Sequence, residues 1–189
     1  MNLPSEFVVR VAQVLERLGI PYHVGGSVAS SAHGMYRASA DVDFVIDPTS
    51  EQSEALVRDL DAEFYVSRPA MAEALSRRST FNAIHSQTSF KIDFFIKGPT
   101  PFDSEELRRS VRQVVGSHEV LIKSPEDTVL RKLEWFRRGG EVSERQWQDV
   151  LSILAAMRGQ LDEKHLDRWA RELRLSDLLE RARREVADL

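Results

Sequence analysis

The 189-residue chain contains no cysteine. This absence excludes disulfide bonds and thiolate metal sites, and we expect a cytoplasmic protein because disulfides belong mainly to secreted chains. The sequence also has no apolar run approaching the roughly 20 residues that a membrane-spanning helix needs, and its first residues lack the pattern of a signal peptide. We therefore expect no association with a membrane.

A surplus of basic residues is missing as well. The chain has 26 lysines and arginines against 30 aspartates and glutamates, a formal net charge of −4. This balance argues against a broad nucleic-acid-binding face, which usually needs excess positive charge. The five histidines share no metal-ligand spacing. Apolar residues make up 42% and charged residues 30% of the chain, as in an ordinary globular protein with a sizeable core.

One stretch, residues 22–47, combines a glycine turn with paired acids. Tyr22–Val24 is predicted to be a short strand that ends at Gly25 and Gly26, where the lack of a Cβ lets backbone N–H groups approach a ligand. Ser27 stands where the N-cap of a following short helix belongs. The free N–H groups and the positive end of that helix favour an anion such as a phosphate. The alternative is an ordinary tight turn.

The second strand of this stretch carries two acids on one face. Because side chains alternate along a strand, Asp41 and Asp43 point one way and their apolar neighbours the other. Carboxylates two residues apart on a strand lie about 6–7 Å from each other. Like charges this close are tolerated when a divalent cation lies between them, and Mg²⁺ prefers such oxygen ligands. The alternative is a solvated strand end, where acids cap the next turn.

A third acid lies in a predicted antiparallel hairpin, residues 81–96, with a polar turn at residues 86–88. Lys91 and Asp93 fall on the face of its second strand that is opposite the apolar one. If this strand pairs beside the strand that carries Asp41, Asp93 lies next to the first two acids. The sequence does not show that pairing, and the exposed face of a hairpin can carry any polar residue.

Together, the glycine turn and the acids resemble the signature of the polymerase-β-like nucleotidyltransferases. In that signature a Gly-Gly/Ser turn and helix precede an Asp-x-Asp strand, and a third carboxylate lies on a neighbouring strand. The matching residues here are Gly25-Gly26-Ser27, Asp41-Val42-Asp43 and Asp93. The resemblance implies an α/β (α+β) fold, in which a small mixed sheet is flanked by helices and followed by a helical C-terminal part.

The resemblance also implies a reaction. The chain would be a phosphorus-transferring enzyme that moves a nucleoside monophosphate from an NTP, such as ATP, to an acceptor hydroxyl and releases pyrophosphate. Asp41, Asp43 and Asp93 would be its catalytic residues and would hold two Mg²⁺ ions, or Mn²⁺ in their place. The sequence does not choose among RNA, a protein and a small molecule as the acceptor.

The resemblance also implies which further residues bind the nucleotide. Gly25–Ser27 would hold its phosphates, and Arg37 stands in the loop where the family often has an arginine, with Ser39 where threonine is common. Relatives of the abortive-infection and type IV toxin–antitoxin kind carry a lysine on a helix near the phosphates and an aspartate on the next helix. Lys132 and Asp149 match these two residues. Alternatively, Arg37 ties its loop down, and Lys132 is a solvated lysine.

Two domains are predicted: residues 1–122 as the nucleotidyltransferase core and residues 123–189 as a helical C-terminal subdomain. The second begins near Ser124, which precedes a proline and two acids in a strong helix start signal. We expect Trp135 and Trp147 to pack between its helices. The alternative function is a non-catalytic nucleotide- or partner-binding module of a toxin–antitoxin system, and a cognate antitoxin is an expected partner.

Overall fold

A computed structural model describes residues 3–36, 39 and 41–188 of the chain. Within these residues the strands are β1 (Tyr22–Val24), β2 (Asp41–Ile46), β3 (Phe64–Val66), β4 (Thr80–His85), β5 (Lys91–Ile96), β6 (Val111–Val115) and β7 (His118–Ile122). The helices are α1 (Leu3–Arg17), α2 (Gly26–His33), α3 (Ser50–Leu60), α4 (Arg68–Arg77), α5 (Pro101–Arg108), α6 (Pro125–Arg138), α7 (Glu144–Ala156), α8 (Glu163–Glu172) and α9 (Ser176–Ala187). None of the helices in the described part of the chain is long and apolar enough to cross a membrane.

Two compact units make up the described chain. The first contains residues 3–28 and 39–123 and holds the sheet, and the second contains residues 29–36 and 124–188 and holds the C-terminal helices. The predicted fold class, a mixed sheet flanked by helices with a helical C-terminal part, is confirmed. The sequence did not indicate that residues 29–36, which include most of α2, would group with the helical unit.

The sheet of the first unit has the strand order β3-β4-β5-β2-β1-β7-β6. Strand β2 runs parallel to β5 and antiparallel to β1, and β1 runs parallel to β7. The second strand of the predicted hairpin therefore does lie beside the strand that carries Asp41. In this register Asp43 is the partner of Asp93, and Asp41 is the partner of Lys91.

The apolar core lies on one face of the two central strands. Both β2 and β5 bury every second residue, as their alternating sequences predict. The ring of Phe94 stacks on Phe44 and on Phe81, with centroid distances of 5.8 and 5.0 Å. Helix α1 adds Phe7, which stacks on Phe90 at 4.8 Å. With this face filled by hydrocarbon, the polar residues of β2 and β5 are left to the opposite face.

Helices α6–α9 of the second unit pack around a core of their own. Ser124 caps α6 as predicted, accepting a hydrogen bond from the Asp127 amide at 3.1 Å. Trp147 is buried against Phe136, with ring centroids 5.1 Å apart, as expected. The expectation for Trp135 is wrong: its side chain is 53% exposed, since it lies outside the buried stripe of α6.

Candidate active site

The parallel pairing of β2 and β5 brings the predicted catalytic acids to one face of the sheet. Asp43 and Asp93 are register partners, and neighbouring strands lie about 4.8 Å apart. Asp41 projects from the same face two residues before Asp43, and its register partner Lys91 shares that face. We call these four residues the acid face. All four side chains are half-buried and lie opposite the apolar core.

Lys91 supplies a positive charge within the acid face. Its Nζ donates a hydrogen bond to Asp93 Oδ2 at 2.7 Å, and its side chain is 44% exposed. The hydrogen bond to Asp93 raises the pKa of Lys91, against a smaller opposing effect of burial, and the charges of Asp93, Asp41 and Asp43 raise this pKa further. All three carboxylates are thus close enough to act on one ammonium group.

The backbone of Gly26 lies directly against the Asp43 carboxylate. A Cβ at Gly26 would lie 1.6 Å from Asp43 Oδ2, and the φ of Gly26 is +52°, in the left-handed region. Both facts require glycine here. Gly25 differs, because a Cβ there would make only ordinary contacts, the nearest at 3.7 Å from Lys123 Cε. The second glycine of the turn therefore makes room for the Asp43 carboxylate.

Ser27 is tied to the acid face by its side chain. Its hydroxyl donates to Ser39 Oγ at 2.6 Å, and Ser39 Oγ donates to Asp41 Oδ1 at 2.9 Å. The predicted N-cap role of Ser27 is wrong, because α2 already begins at Gly26 and Ser27 lies inside its first turn. The hydroxyl is instead directed to the loop that precedes β2, where it fixes the position of Asp41 through Ser39.

Sequence reasoning missed a lysine behind the glycine turn. Lys123 follows β7, and its amide donates to Val24 O at 2.9 Å, which extends the parallel pairing of β1 and β7. Its ammonium group lies 3.8 Å from the position that a Cβ on Gly25 would take, and it forms a buried ion pair with Glu106. The signal was a lysine at the end of a strand, but only the β1–β7 pairing shows that this end meets the turn.

The acid face suits a hard cation in its chemistry. Within the described residues, no group of three or more His, Cys, Asp and Glu side chains is arranged to hold a metal ion. The donors that are present are carboxylate oxygens, which Mg²⁺ prefers, and the ammonium group of Lys91 already holds a positive charge among them. The residues therefore fit a divalent metal in the type of donor atom that they offer, and the shared metal cluster of Asp41, Asp43 and Asp93 stays a prediction.

Lys132 and Arg37 are the two remaining nucleotide-binding candidates. Lys132 lies in the helical unit, where its Nζ donates to Asp149 Oδ2 at 2.7 Å in a pair that is buried on both sides. The family resemblance implied a lysine on one helix and an aspartate on the next, and the two matching residues do contact each other. Arg37 lies outside the described residues. Nucleotide binding by Lys132 and Arg37 stays a prediction.

Solved structures of nucleotidyltransferases share this fold. ANT(2'')-Ia in complex with adenylyl-2''-tobramycin aligns over 92% of this chain and 98% of its own, with 11% identity and a TM-score of 0.62. An antigenic nucleotidyltransferase-like protein from Paracoccidioides brasiliensis aligns over 94% and 90%, with 16% identity and a TM-score of 0.59. The lincomycin-bound lincosamide adenylyltransferase LnuA aligns over 81% and 96%, with 12% identity and a TM-score of 0.53. These similarities establish a nucleotidyltransferase fold.

Sequence similarity then defines the family. The profile described as "Nucleotidyl transferase AbiEii toxin, Type IV TA system", where TA denotes toxin–antitoxin, matches residues 24–187. The chain therefore belongs to this nucleotidyltransferase family, and both the resemblance and the enzyme class predicted from the sequence are confirmed. No curated protein matches the chain significantly in sequence.

Proposed function

We propose that the acid face catalyses Mg²⁺-dependent transfer of a nucleoside monophosphate from an NTP to an acceptor hydroxyl, with release of pyrophosphate. The observation that carries this proposal is the parallel register that sets Asp43 opposite Asp93, with Asp41 on the same face. Three carboxylates in this arrangement repel one another, and a stable fold gains nothing from keeping them together. A reaction that handles polyphosphate and divalent metal gives them a role.

The glycine turn is proposed to hold the phosphates of the NTP. Backbone N–H groups and the N-terminal end of α2 favour an anion at this point. The Asp43 carboxylate lies against the same turn, so a phosphate bound there would meet a negative charge at close range. Phosphate and carboxylate are compatible when a divalent cation is shared between them. The contact between Gly26 and Asp43 therefore supports a site for a nucleotide that binds together with a metal ion. Without the metal ion, the phosphate and the Asp43 carboxylate would repel each other.

The acids are proposed to differ in their roles. Asp41 and Asp43 would hold the metal ions, with Asp93 as a further ligand to one of them. When bound, Mg²⁺ or Mn²⁺ would neutralise phosphate charge and lower the pKa of the acceptor hydroxyl. Asp93 would accept the proton of that hydroxyl, because its side chain is only 17% exposed and it lies opposite Asp43, on the same face as Asp41. Ser39 would keep Asp41 oriented through the hydrogen bond to its carboxylate.

The acceptor is proposed to be a hydroxyl of RNA, a protein or a small molecule. The structures that share the fold include enzymes whose acceptors are small molecules, as the adenylyl-tobramycin and lincomycin complexes indicate. The family description instead points to a toxin with a cognate antitoxin as its partner. We also propose a cytoplasmic location and phosphate contacts from Arg37 and Lys132.

The test is transfer of label from each α-labelled NTP, with Mg²⁺, to a cell extract that is afterwards separated into RNA, protein and small molecules. We expect label from one preferred NTP in one fraction, together with release of pyrophosphate. Asp43→Asn should abolish labelling. Asp47→Asn is the matched control, because Asp47 directly follows β2 and pairs with Lys97 away from the acid face. No labelling of any fraction by the folded wild-type protein, or equal labelling by Asp43→Asn, would contradict the proposal.

A further inference from the structure

We infer that Lys91 is a tethered cation that occupies Asp93 until a metal-bound nucleotide arrives. This inference rests on the proposed function and adds to it a residue that is outside the family signature quoted above. Lys91 would offset part of the negative charge of the acid face in the resting protein and oppose the binding of a divalent metal that comes without nucleotide. Metal and nucleotide would then enter the site together.

Lys91 is placed where its ammonium group competes with a metal ion for Asp93. Lys91 lies two residues before Asp93 on β5 and is the register partner of Asp41 on β2. Its ammonium group hydrogen-bonds Asp93 Oδ2 at 2.7 Å and also feels the charges of Asp41 and Asp43. A metal ion that bound Asp93 would either take that oxygen from the ammonium group or bind the other oxygen close to the positive charge of Lys91. The two cations therefore compete for one carboxylate.

The exposure of Lys91 makes its ion pair with Asp93 weak enough to be displaced. An ion pair with a side chain that is 44% exposed is weak, and such pairs change an equilibrium by up to about five-fold. A pair of this strength hinders a lone divalent ion but is displaced without difficulty when the metal brings phosphate oxygens with it. The released ammonium group then has a phosphate to pair with, because the triphosphate carries several negative charges. Nucleotide thus shifts the competition in favour of the metal.

The same strand offers a matched control. Lys97 directly follows β5 and pairs with Asp47 at 2.9 Å, so Lys97→Gln removes one positive charge next to the end of that strand and breaks one ion pair. It leaves the acid face untouched. Lys91→Arg is the conservative counterpart at the tested position, because arginine keeps the charge.

The experiment measures Mn²⁺ affinity by electron paramagnetic resonance of the free ion, with and without a non-hydrolysable NTP analogue. Without nucleotide, we expect Lys91→Gln to bind Mn²⁺ about five-fold more tightly than the wild type, the scale of removing one unit charge at about 4 Å in a water-like medium. Lys91→Arg and Lys97→Gln should bind as the wild type does. The gain in Mn²⁺ affinity on adding the analogue should be smaller for Lys91→Gln than for the wild type.

Thermal unfolding gives a second readout and checks the fold. Without metal, Lys91→Gln should melt below the wild type, because the three acids lose their counter-charge, and Mn²⁺ should raise its melting temperature more than that of the wild type. Equal Mn²⁺ affinity of Lys91→Gln and Lys97→Gln, in a wild type that binds Mn²⁺ with the analogue, would overturn the inference and leave the proposed function standing. If no protein binds Mn²⁺ even with the analogue, both fail.

Discussion

Two clusters of charged side chains, one in each unit of this protein, differ in exposure and in charge balance. In the helical unit, Lys132 and Asp149 are buried together and form an ion pair at 2.7 Å. In the sheet unit, Asp41, Asp43 and Asp93 share a half-exposed face to which Lys91 brings a positive charge. One arrangement is neutral as it stands, and the other carries an excess of negative charge that solvent can reach.

From this difference we expect the buried pair to contribute mainly to stability and the acid face mainly to binding. A buried ion pair is stable only when both partners are present, because either charge alone in a low-dielectric interior is strongly unfavourable. Partly exposed carboxylates that lie close together repel one another. The ionised form of each carboxylate would therefore be more stable without the others. Such an excess is expected where a protein binds a cation or stabilises a reaction. The predictions below test this distinction.

Breaking the balanced pair should have the largest effect. Lys132→Met removes the ammonium group that pairs with the buried Asp149 carboxylate, and we expect the free energy of unfolding to fall by about 3–5 kcal/mol. The double variant Lys132→Met/Asp149→Leu removes both charges and should recover most of this loss. The measurement is urea denaturation followed by circular dichroism.

The exposed pair of Arg168 and Glu172 is the control for this prediction. It has a separation of 3.2 Å but is more than half exposed at Arg168. Arg168→Gln should cost at most about 1 kcal/mol. If Lys132→Met proved as mild as Arg168→Gln, the lysine would not be held by Asp149 in solution, and its predicted contact with nucleotide would become the main explanation for it.

Removing one acid from the sheet unit should affect activity and stability in opposite directions. Asp43→Asn should lower nucleotide transfer by at least about 100-fold, the scale of losing a strong electrostatic contribution to a transition state. Its free energy of unfolding should stay the same or rise, because one of three repelling charges is gone. Transfer assays and urea denaturation on the same preparation measure both. A parallel loss of stability would mean that Asp43 is structural.

The two glycines of the turn should respond differently to the same change. Gly26→Ala introduces a Cβ 1.6 Å from Asp43 Oδ2 at a φ of +52°, so we expect both a loss of about 1–2 kcal/mol from the backbone and a loss of transfer as Asp43 moves. Gly19→Ala is the backbone control: its φ is +63° and no atom lies within 4 Å of the added Cβ, so only stability should fall. Gly25→Ala should be nearly neutral. Equal transfer in Gly26→Ala and Gly19→Ala would show that the Gly26–Asp43 contact is not required.

The sequence alone located the acids because strand alternation is a local property. A period of two residues puts Asp41 and Asp43 on one face whatever the rest of the chain does. The proximity of Asp93 depends on the pairing of two strands that are far apart in the chain. The sequence could therefore predict this proximity only on the condition that the two strands pair. Lys91 was placed on the correct face, but its ion pair depends on side-chain rotamers that alternation does not determine.

Prediction failed where the local backbone departs from the usual helix start. Ser27 has the composition of an N-cap, yet Gly26 with its positive φ already begins the helix, so the serine hydroxyl is free to reach Ser39. Trp135 was expected in the core because tryptophan is large and apolar, but it lies on the outward side of α6, with the Arg138 guanidinium 5.7 Å from its ring. In both cases the residue type suggested a role, but the backbone geometry determines where the side chain lies.

The smallest effect is expected from the hydrogen bonds that orient the first acid. Ser39→Ala removes the hydroxyl that accepts from Ser27 and donates to Asp41, and a bond to a charged group contributes about 1.5–3 kcal/mol at most. Because Asp41 is half-buried and water can replace the hydroxyl, we expect a fall in transfer of about five- to ten-fold with little change in stability. Ser39→Thr keeps the hydroxyl and should retain activity. Equal loss in both variants would show that the hydroxyl is not what matters.

The most direct test of the central claim, that the acid face is the site of metal-bound nucleotide, is a crystal structure with Mn²⁺ and a non-hydrolysable NTP analogue. The account predicts an anomalous Mn²⁺ peak about 2.1 Å from carboxylate oxygens of Asp41 and Asp43, with the phosphates of the analogue against Gly26. Lys91 should have left Asp93. Nucleotide and Mn²⁺ bound together at a place away from all three acids would contradict it.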